Sequence, residues 1–176
     1  MSNQELNKIL EQNCFEVFGL TTGFDINPAE LNAKLHSLQK EFHPDNWINN
    51  VAATDALNAS SHINSCYAKL KNPLERALLI LSLNSYPLDL ARDTDLPEQF
   101  LFEQMEFHEQ IDEAGENSDK LEIIEHTVTA KQKDVIDKLS IEFAKHNYTG
   151  ALELTKQLGF YQRLFNQISD KISLIY

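Results

Sequence analysis

The sequence contains few of the residues that interrupt helices. Its 176 residues include five glycines and five prolines, and these fall between segments that have helical periodicity. The sequence shows no strand-turn-strand pattern and no internal repeat. This distribution predicts long helices joined by short turns, and therefore an all-α protein.

Cysteine and long apolar runs are also scarce. The two cysteines, Cys14 and Cys66, do not form a CxxC pair, so they offer no zinc framework and fit a reducing cytoplasm. No apolar run approaches the roughly 20 residues of a membrane span. The opening residues MSNQELNKIL lack a basic region followed by an apolar one. We therefore expect no secretory signal and a cytoplasmic location.

Positive charge is in deficit. The chain has 15 Lys and Arg against 27 Asp and Glu, a formal net charge of −12. Proteins that bind nucleic acid or anionic membranes usually present a basic surface, so we expect neither partner. Hydrophobic residues make up 42% of the chain, which is enough for a packed core.

The first half of the chain contains four helical patterns. The first, NCFEVFGL, has Asn13 as a candidate N-cap, and the second begins through Asn27 and Pro28. The third lies within 51–70, and the fourth starts with Asn-Pro at 72–73. The positions expected to face inward are Leu31, Leu35, Leu38 and Phe42 in the second pattern, Ala56, Ala59, Ile63, Tyr67 and Leu70 in the third, and Leu74, Leu78 and Leu81 in the fourth.

The second half begins with NSYPLDLARDTDLP, which has no periodicity and is rich in Asp and Pro. This composition predicts a linker between two subdomains. Helical patterns follow over 97–114 and 119–146 and from about Gly150 onward. The inward positions predicted for the last two are Ile124, Val128, Val135, Leu139 and Phe143, then Leu154, Leu158, Tyr161, Phe165, Ile168, Ile172 and Ile175. The spacing in the last pattern alternates between 4 and 3, which is typical of nearly antiparallel helices in a small bundle.

The stretch LQKEFHPDNW ends the second helical pattern at His43, Pro44 and Asp45. Pro44 has no backbone N–H, and its ring keeps the preceding residue out of the α region, so we expect the helix to end near Phe42. The imidazole of His43 then lies at a helix C-terminus, where positive charge is slightly favoured. Asp45 would be free to accept a bidentate arginine.

Taken alone, these three residues allow three interpretations. They could form a turn that stops the helix, or a catalytic site, which would need a nucleophile and an oxyanion-binding group near His43. The sequence contains no GxSxG motif and no glycine-rich phosphate loop. A metal site needs three or four ligands, of which His43 and Asp45 supply two. His62 and Cys66, four residues apart, could form half of another metal site or be ordinary helix residues, with Cys66 partly buried. A small hydrolase or metalloenzyme is therefore an alternative.

The order of motifs along the chain resembles that of the HscB family of J-domain co-chaperones. CFEVFGL, LHSLQKEFHPD and INSCYAKLKNPLERALLIL are similar to the two halves of a J domain, and FLFEQMEFHEQIDE is similar to the C-terminal part of the family. The resemblance runs from about Cys14 to the C-terminus. It implies an N-terminal extension (1–12), a J domain with an antiparallel helical hairpin (13–84), a linker (85–96) and a C-terminal three-helix bundle (97–176).

The resemblance implies that the HPD loop docks on a DnaK-class, HscA-like chaperone and stimulates its ATPase. The catalytic groups would then belong to the partner, and this chain would not be an enzyme. His43, Pro44 and Asp45 match the motif directly, and Lys34 and Lys40 match the basic residues of the preceding helix.

Two departures from the family pattern affect this surface. Asn46 replaces the lysine usual after HPD, and Glu30 and Glu41 dilute the positive face. We therefore expect weaker electrostatic steering toward the chaperone.

The stretch FLFEQMEFHEQIDE predicts a second surface. On a helical wheel, Phe100, Gln104, Phe107 and Ile111 share one face, which should pack on the bundle. Leu101, Phe102 and Met105 point elsewhere, among Glu106, Glu109 and Glu113. An apolar strip fringed by carboxylates suggests a protein-binding surface. Leu101 and Met105 could instead cover the flanking walls of the core or face the front domain.

The resemblance implies that this surface binds the IscU-like scaffold protein on which iron–sulfur clusters are built. Phe160 lies off the seam of the last helix and could extend the strip. The matching positions are Leu101, Phe102, Met105, Glu106, Glu109, Glu113 and Phe160. The cluster would sit on the scaffold, so we expect this chain to bind no cofactor and no metal. A J-domain adaptor for a different client is an alternative.

Overall fold

In the computed structural model, residues 3–43, 53–92 and 97–175 are described. These ranges contain eight α-helices and no strand, which confirms the predicted all-α class. In chain order the helices are α1 (Asn3–Glu11), α2 (Cys14–Val17), α3 (Pro28–Glu41), α4 (Ala53–Lys71), α5 (Pro73–Leu83), α6 (Glu98–Ala114), α7 (Ser118–Ala144) and α8 (Tyr148–Ile175). Within the same ranges, no helix combines the length and the apolar character needed to cross a membrane.

The starts of three helices in the first half are fixed by asparagine caps. The side-chain oxygen of Asn27 accepts the backbone N–H groups two and three residues further on, at 3.0 and 3.4 Å, and Pro28 occupies the first helical position. Asn72 caps α5 in the same way, at 2.8 and 3.2 Å. Asn13 caps α2 in a capping box with Glu16. These contacts confirm the three predicted helix starts and satisfy N–H groups that have no intrahelical partner.

The first compact unit, Met1–Ile80, is built on α3 and α4. The amide of Gln39 donates to Asn64 at 3.0 Å, and the hydroxyl of Tyr67 donates to Asn32 at 2.7 Å. The crossed order of these pairs shows that α3 and α4 form an antiparallel hairpin. The inward face of α4 is buried as predicted, with Tyr67 half-buried at its edge; the fully buried members are Ala56, Ala59, Ile63 and Leu70.

Residues 3–11, which belong to the predicted N-terminal extension, form helix α1, and this helix packs on the same unit. Helix α1 contacts α4, and the side chain of Ile9 is buried. The carbonyl oxygen of Gln12 lies 3.3 Å from the Nε2 atom of His62 on α4. The N-terminal extension therefore adds to the core of the first unit.

The two cysteines meet in this unit. Cys14 at the start of α2 and Cys66 on α4 are 52 residues apart in sequence, but their Cα atoms are 4.8 Å apart and the pair forms a disulfide. Both residues are buried. The sequence did not predict this pairing, because packing of α2 against α4 brings the two cysteines together and sequence spacing does not report that packing.

Arg76 on α5 connects three parts of the first unit. Its Nη1 atom donates to the carbonyl of Leu70 at 2.6 Å, and its guanidinium lies 4.8 Å from the ring centroid of Phe24. Its Nε atom is buried and has no hydrogen-bond partner in the described structure. Burial lowers the pKa of Arg76 by removing the guanidinium from water, and the nearby charge of Asp25 opposes that shift. Arg76 thus joins the end of α4 to the loop before α3.

The second unit, Leu81–Tyr176, is a bundle in which α8 packs along α7 and α6 packs on α7. Helix α6 ends at Gly115, whose φ of +55° is readily adopted by glycine. Helix α8 begins at Tyr148 rather than near Gly150, because Asn147 accepts the N–H of Gly150 at 3.2 Å and caps the helix two residues earlier. All five inward positions predicted for α7 are buried: Ile124, Val128, Val135, Leu139 and Phe143.

The buried face of α8 is wider than its predicted stripe. Leu158, Tyr161 and Ile168 are buried as predicted, whereas Ile175 is exposed. Leu154, Phe165 and Ile172 are half-buried. The core also includes residues outside the stripe, namely Ala151, Thr155, Gly159, Phe160 and Leu164. The face is wide because α8 is covered both by the other helices and by the chain that precedes α6.

The segment 85–96, which precedes α6, was predicted to be a linker. The ring of Tyr86 lies 5.5 Å from that of Tyr148, measured between centroids. A Cβ atom at position 159 would lie 3.0 Å from Leu90, so Gly159 gives Leu90 the room to pack on α8. The described part of the segment, 85–92, therefore belongs to the second unit. The division between the units falls inside α5, at Ile80, rather than at residue 84.

Candidate functional site

The first candidate surface begins where α3 ends. The helix stops at Glu41, and the N–H of Phe42, whose side chain is buried, still bonds to Leu38 at 2.8 Å. The predicted end near Phe42 is confirmed. His43 follows directly and is exposed. Pro44, Asp45 and Asn46 lie outside the described residues. The roles assigned to Pro44 and Asp45 therefore remain predictions from the sequence.

The two lysines assigned to this surface differ in their surroundings. The ammonium of Lys34 donates to the carbonyl of Gly19 at 2.9 Å and forms an ion pair with Glu30, also at 2.9 Å. Lys40 is exposed in the last turn of α3. Lys34 therefore holds the chain after α2 against α3, and Glu30 dilutes its charge as the sequence predicted.

The described side chains do not favour a metal centre. In ranges 3–43, 53–92 and 97–175, no three His, Cys, Asp or Glu side chains are grouped so that they could hold a metal ion. The hypothesis of half a site at His62 and Cys66 is wrong for this structure, because the sulfur of Cys66 is bonded to that of Cys14. A disulfide sulfur is not the thiolate that metal ions require.

The second candidate surface is the outer face of α6. Leu101, Phe102 and Met105 are 43%, 59% and 68% exposed. On the opposite face of the same helix, Phe107 is 5% and Ile111 is 0% exposed. The helical-wheel prediction is therefore confirmed. The alternative in which Leu101 and Met105 cover the walls of the core is wrong.

Carboxylates continue the exposed face of α6 beyond its apolar end. Glu106, Glu109 and Glu113 are all exposed. Their spacings of 3 and 4 place them on the same side of the helix as Phe102. We call the six residues Leu101, Phe102, Met105, Glu106, Glu109 and Glu113 the α6 strip. The strip joins protruding apolar side chains to a row of negative charge, as expected of a surface that binds a protein with basic groups.

The expectation that Phe160 extends this strip is not met. Its side chain is 5% exposed, and its ring packs edge to face on Phe100 with centroids 5.4 Å apart. The ring of His108 lies 6.2 Å away. Leu90 packs on the neighbouring Gly159, so the segment before α6 also covers this turn of α8. Phe160 therefore lies beneath α6 and supports the helix that carries the strip.

A polar network holds α6 to the other two helices. The ammonium of Lys131 on α7 lies 2.6 Å from the carboxylate of Glu103 on α6. The hydroxyl of Tyr161 on α8 donates to the same carboxylate. Burial raises the pKa of Tyr161, and the negative charges of Glu103 and Asp134 raise it further. This network was not predicted from the sequence. The wheel position of Glu103 beside Phe107 was a signal, because a carboxylate next to a buried face needs a partner.

Residues 96–169, which contain the α6 strip, match the family described as the HSCB C-terminal oligomerisation domain. Over 162 residues the chain is 32% identical to the co-chaperone protein HscB homolog of Vibrio cholerae, covering 89% of this chain and 94% of the relative. The chain belongs to the HscB family of co-chaperones.

Two solved HscB structures share this fold. Chaperone HscB from Vibrio cholerae superposes with a TM-score of 0.81 at 28% identity and covers 94% of this chain and 100% of its own. The human co-chaperone protein HscB superposes with a TM-score of 0.86 at 27% identity and covers 92% of this chain and 82% of its own. In HscB terms, the first unit is the J domain and the second is the C-terminal helical bundle.

Proposed function

We propose that this HscB-family protein is a two-ended adaptor. Its HPD loop, His43 to Asp45, stimulates the ATPase of a DnaK-class, HscA-like chaperone. Its α6 strip binds an IscU-like iron–sulfur scaffold protein and delivers it to that chaperone. The hydrolytic groups belong to the chaperone and the cluster to the scaffold, so this chain contributes surfaces rather than a reaction centre. We also propose that it works in the cytoplasm.

The observation that carries the proposal is the exposure of the α6 strip in a chain that belongs to this family. Phe102 and Met105 are more than half exposed, although burial in the bundle would remove their apolar surface from water. Large exposed apolar side chains beside one another are typical of protein-binding sites. Their carboxylate neighbours favour a partner whose facing surface is basic.

The J domain contributes the other end of the adaptor. His43 is exposed immediately after α3, and its position is set by the antiparallel hairpin of α3 and α4. The basic contribution of α3 is modest because Lys34 is engaged by Glu30 and Gly19. We therefore expect chaperone docking to depend more on the HPD residues than on long-range steering.

Two measurements on the full-length protein test this proposal. The first is ATP hydrolysis by the HscA-like chaperone of the same genome, with and without the protein. The second is a calorimetric titration of the protein with the IscU-like scaffold of that genome. Stimulated hydrolysis together with saturable scaffold binding is expected.

Each half of the proposal can fail separately. Stimulation of the ATPase without scaffold binding would indicate a J-domain adaptor for a different client. Scaffold binding without stimulation would remove the chaperone end of the proposal.

A further inference from the structure

A cavity lies between α6 and α7, close to the turn that joins them. Its volume is about 260 Å³. Its apolar lining residues are Ala114 and Ile124, which are buried, and Ile123, which is 66% exposed. Its remaining lining residues are polar or charged, namely Gln110, Glu113 and Lys120. The cavity is therefore an apolar depression with a polar rim.

This cavity is continuous with the α6 strip. Glu113 is both the last residue of the strip and part of the cavity rim. It lies eleven positions beyond Phe102, which at 1.5 Å per residue corresponds to about 16 Å along the helix. The exposed face of α6 thus runs from protruding apolar side chains, along a row of carboxylates, to a depression that an apolar side chain could enter.

The strip alone is small for a specific protein interface. Stable interfaces bury roughly 800 Å² and 20–30 residues on each partner, and most of the binding energy comes from a few anchors in well-packed pockets. The strip offers six residues of one helix, one of which, Glu113, also lines the cavity. A partner that binds the strip and continues past Glu113 reaches the cavity and Ile123 on α7.

We propose that the cavity is a second anchor point of the scaffold interface, and that Ile123 of α7 belongs to that interface. Its occupant is an apolar side chain of the scaffold protein, next to a basic group that faces Glu113. This inference rests on the proposed function and extends it from α6 to α7. Protruding side chains at one end and a cavity at the other also fix one orientation of the scaffold along α6.

Ile141 supplies a matched control on the same helix. It is 51% exposed, and it lies 18 residues, or five helical turns, beyond Ile123. The two side chains therefore point in the same direction from α7, about 27 Å apart. Both Ile123→Ala and Ile141→Ala remove the same atoms from an exposed site, and only the first changes the cavity.

Calorimetric titration of the full-length variants with the IscU-like scaffold tests the inference. Ile123→Ala should raise the dissociation constant five- to tenfold, whereas Ile141→Ala should stay within twofold of wild type. Both should keep the wild-type melting temperature and, without scaffold, the wild-type stimulation of the chaperone ATPase. In protein labelled at isoleucine methyl groups, the Ile123 signal should shift on scaffold addition while the Ile141 signal stays in place.

The Phe102→Ala variant in the same titration separates the possible failures. If Phe102→Ala weakens binding and Ile123→Ala stays within twofold of wild type, the second anchor is wrong and the proposed function stands. If Ile123→Ala and Ile141→Ala weaken binding equally, the effect is not specific to the cavity and the inference is also overturned. If the wild-type protein does not bind the scaffold, or Phe102→Ala binds like wild type, the proposed strip fails and the second anchor fails with it.

Discussion

Glu103 of α6 and Lys131 of α7 form an ion pair whose Oε1 and Nζ atoms are 2.6 Å apart. The hydroxyl of Tyr161 on α8 donates to the same carboxylate, so one side chain from each helix of the bundle meets at Glu103. Ion pairs near the surface contribute little to stability, typically about 0–1 kcal/mol. Their importance here is positional, because Glu103 immediately follows Phe102 on the helix that carries the exposed strip.

Removal of the Tyr161 hydroxyl should change how stability depends on alkaline pH. Burial and Glu103 raise the pKa of Tyr161, so the folded protein retains this proton to a higher pH than the unfolded chain, in which tyrosine titrates near about 10. The free energy of unfolding of wild type should then fall above about pH 10, at up to about 1.4 kcal/mol per pH unit from this group. Tyr161→Phe should lose that dependence.

Urea unfolding followed by circular dichroism between pH 8 and 11 measures the effect. Tyr86→Phe is the control, because Tyr86 is a partly exposed tyrosine of the same unit, and it should follow the wild-type curve. If the free energy of unfolding falls with pH equally steeply in wild type and Tyr161→Phe, the buried hydroxyl does not control alkaline stability.

Two phenylalanines of α6 should separate binding from folding. Phe107 is 5% exposed and packs against Tyr161 with ring centroids 6.2 Å apart. Phe107→Ala should therefore lower the free energy of unfolding by about 3–5 kcal/mol. Phe102 is 59% exposed, so Phe102→Ala should leave stability nearly unchanged and weaken scaffold binding by about 2 kcal/mol.

Thermal melts and calorimetric titrations at matched folded fraction compare these two variants. A lower melting temperature for Phe102→Ala with unchanged scaffold affinity would place that side chain in the core. Reversal of Glu109 or Glu113 to Lys should also weaken binding, with a larger effect at low salt, if the facing surface of the scaffold is basic.

Substitution in the HPD motif should abolish chaperone stimulation without unfolding the protein. His43 is exposed at the end of α3, and exposed substitutions usually change stability by about 0.5 kcal/mol or less. His43→Gln and Asp45→Asn should each eliminate stimulation of the HscA-like ATPase. His36→Gln, at an exposed histidine on the same helix, should stimulate like wild type. Wild-type rates from either HPD variant would remove the docking role.

Arg76 should not tolerate replacement by lysine. The lysine ammonium keeps the charge but cannot both lie over the ring of Phe24 and donate to the carbonyl of Leu70 as the guanidinium does. Arg76→Lys should lower the free energy of unfolding by about 1–3 kcal/mol. Arg163→Lys, at an exposed arginine, is the control for chemical denaturation. Equal urea midpoints for Arg76→Lys and wild type would contradict a structural role for the guanidinium.

The stability of the J domain should depend on the redox state of Cys14 and Cys66. A bond between residues 52 apart restricts the unfolded chain and in the entropic account stabilises the folded state by about 4 kcal/mol. Reductant should therefore lower the urea midpoint of oxidised wild type, but not that of a Cys14→Ala, Cys66→Ala double variant. The proposed cytoplasmic location is reducing, so the reduced protein is the form to use in the chaperone assays. A wild-type midpoint that does not respond to reductant would mean that the purified protein lacks the bond.

Much of the local structure could be predicted because its causes lie within a few residues of one another. Asn27 followed by Pro28 contains both the cap and the fixed backbone angle of a helix start. The stop of α3 near Phe42 follows from the ring of Pro44. The exposure of Phe102 and the burial of Phe107 follow from the 100° step between residues of a helix.

The features that were missed depend on residues far apart in sequence. Phe160 lies outside the apolar stripe predicted for α8. Its burial is explained by packing on Phe100 and by Leu90, which covers the neighbouring Gly159. The start of α8 at Tyr148 has a local cause instead, because its cap, Asn147, is adjacent in the sequence.

The sequence by itself determined the all-α class, most of the helix starts and the two candidate surfaces, since caps, proline and helical periodicity act within one or two turns. The tertiary structure decided that Cys14 lies beside Cys66, that Glu103 meets Lys131 and Tyr161, and that Phe160 lies beneath α6 instead of on its surface. The physical reason is that these contacts join side chains from different helices. Their distances depend on how whole helices pack, and the periodicity of one helix specifies which face is buried but not which residue of another helix covers it.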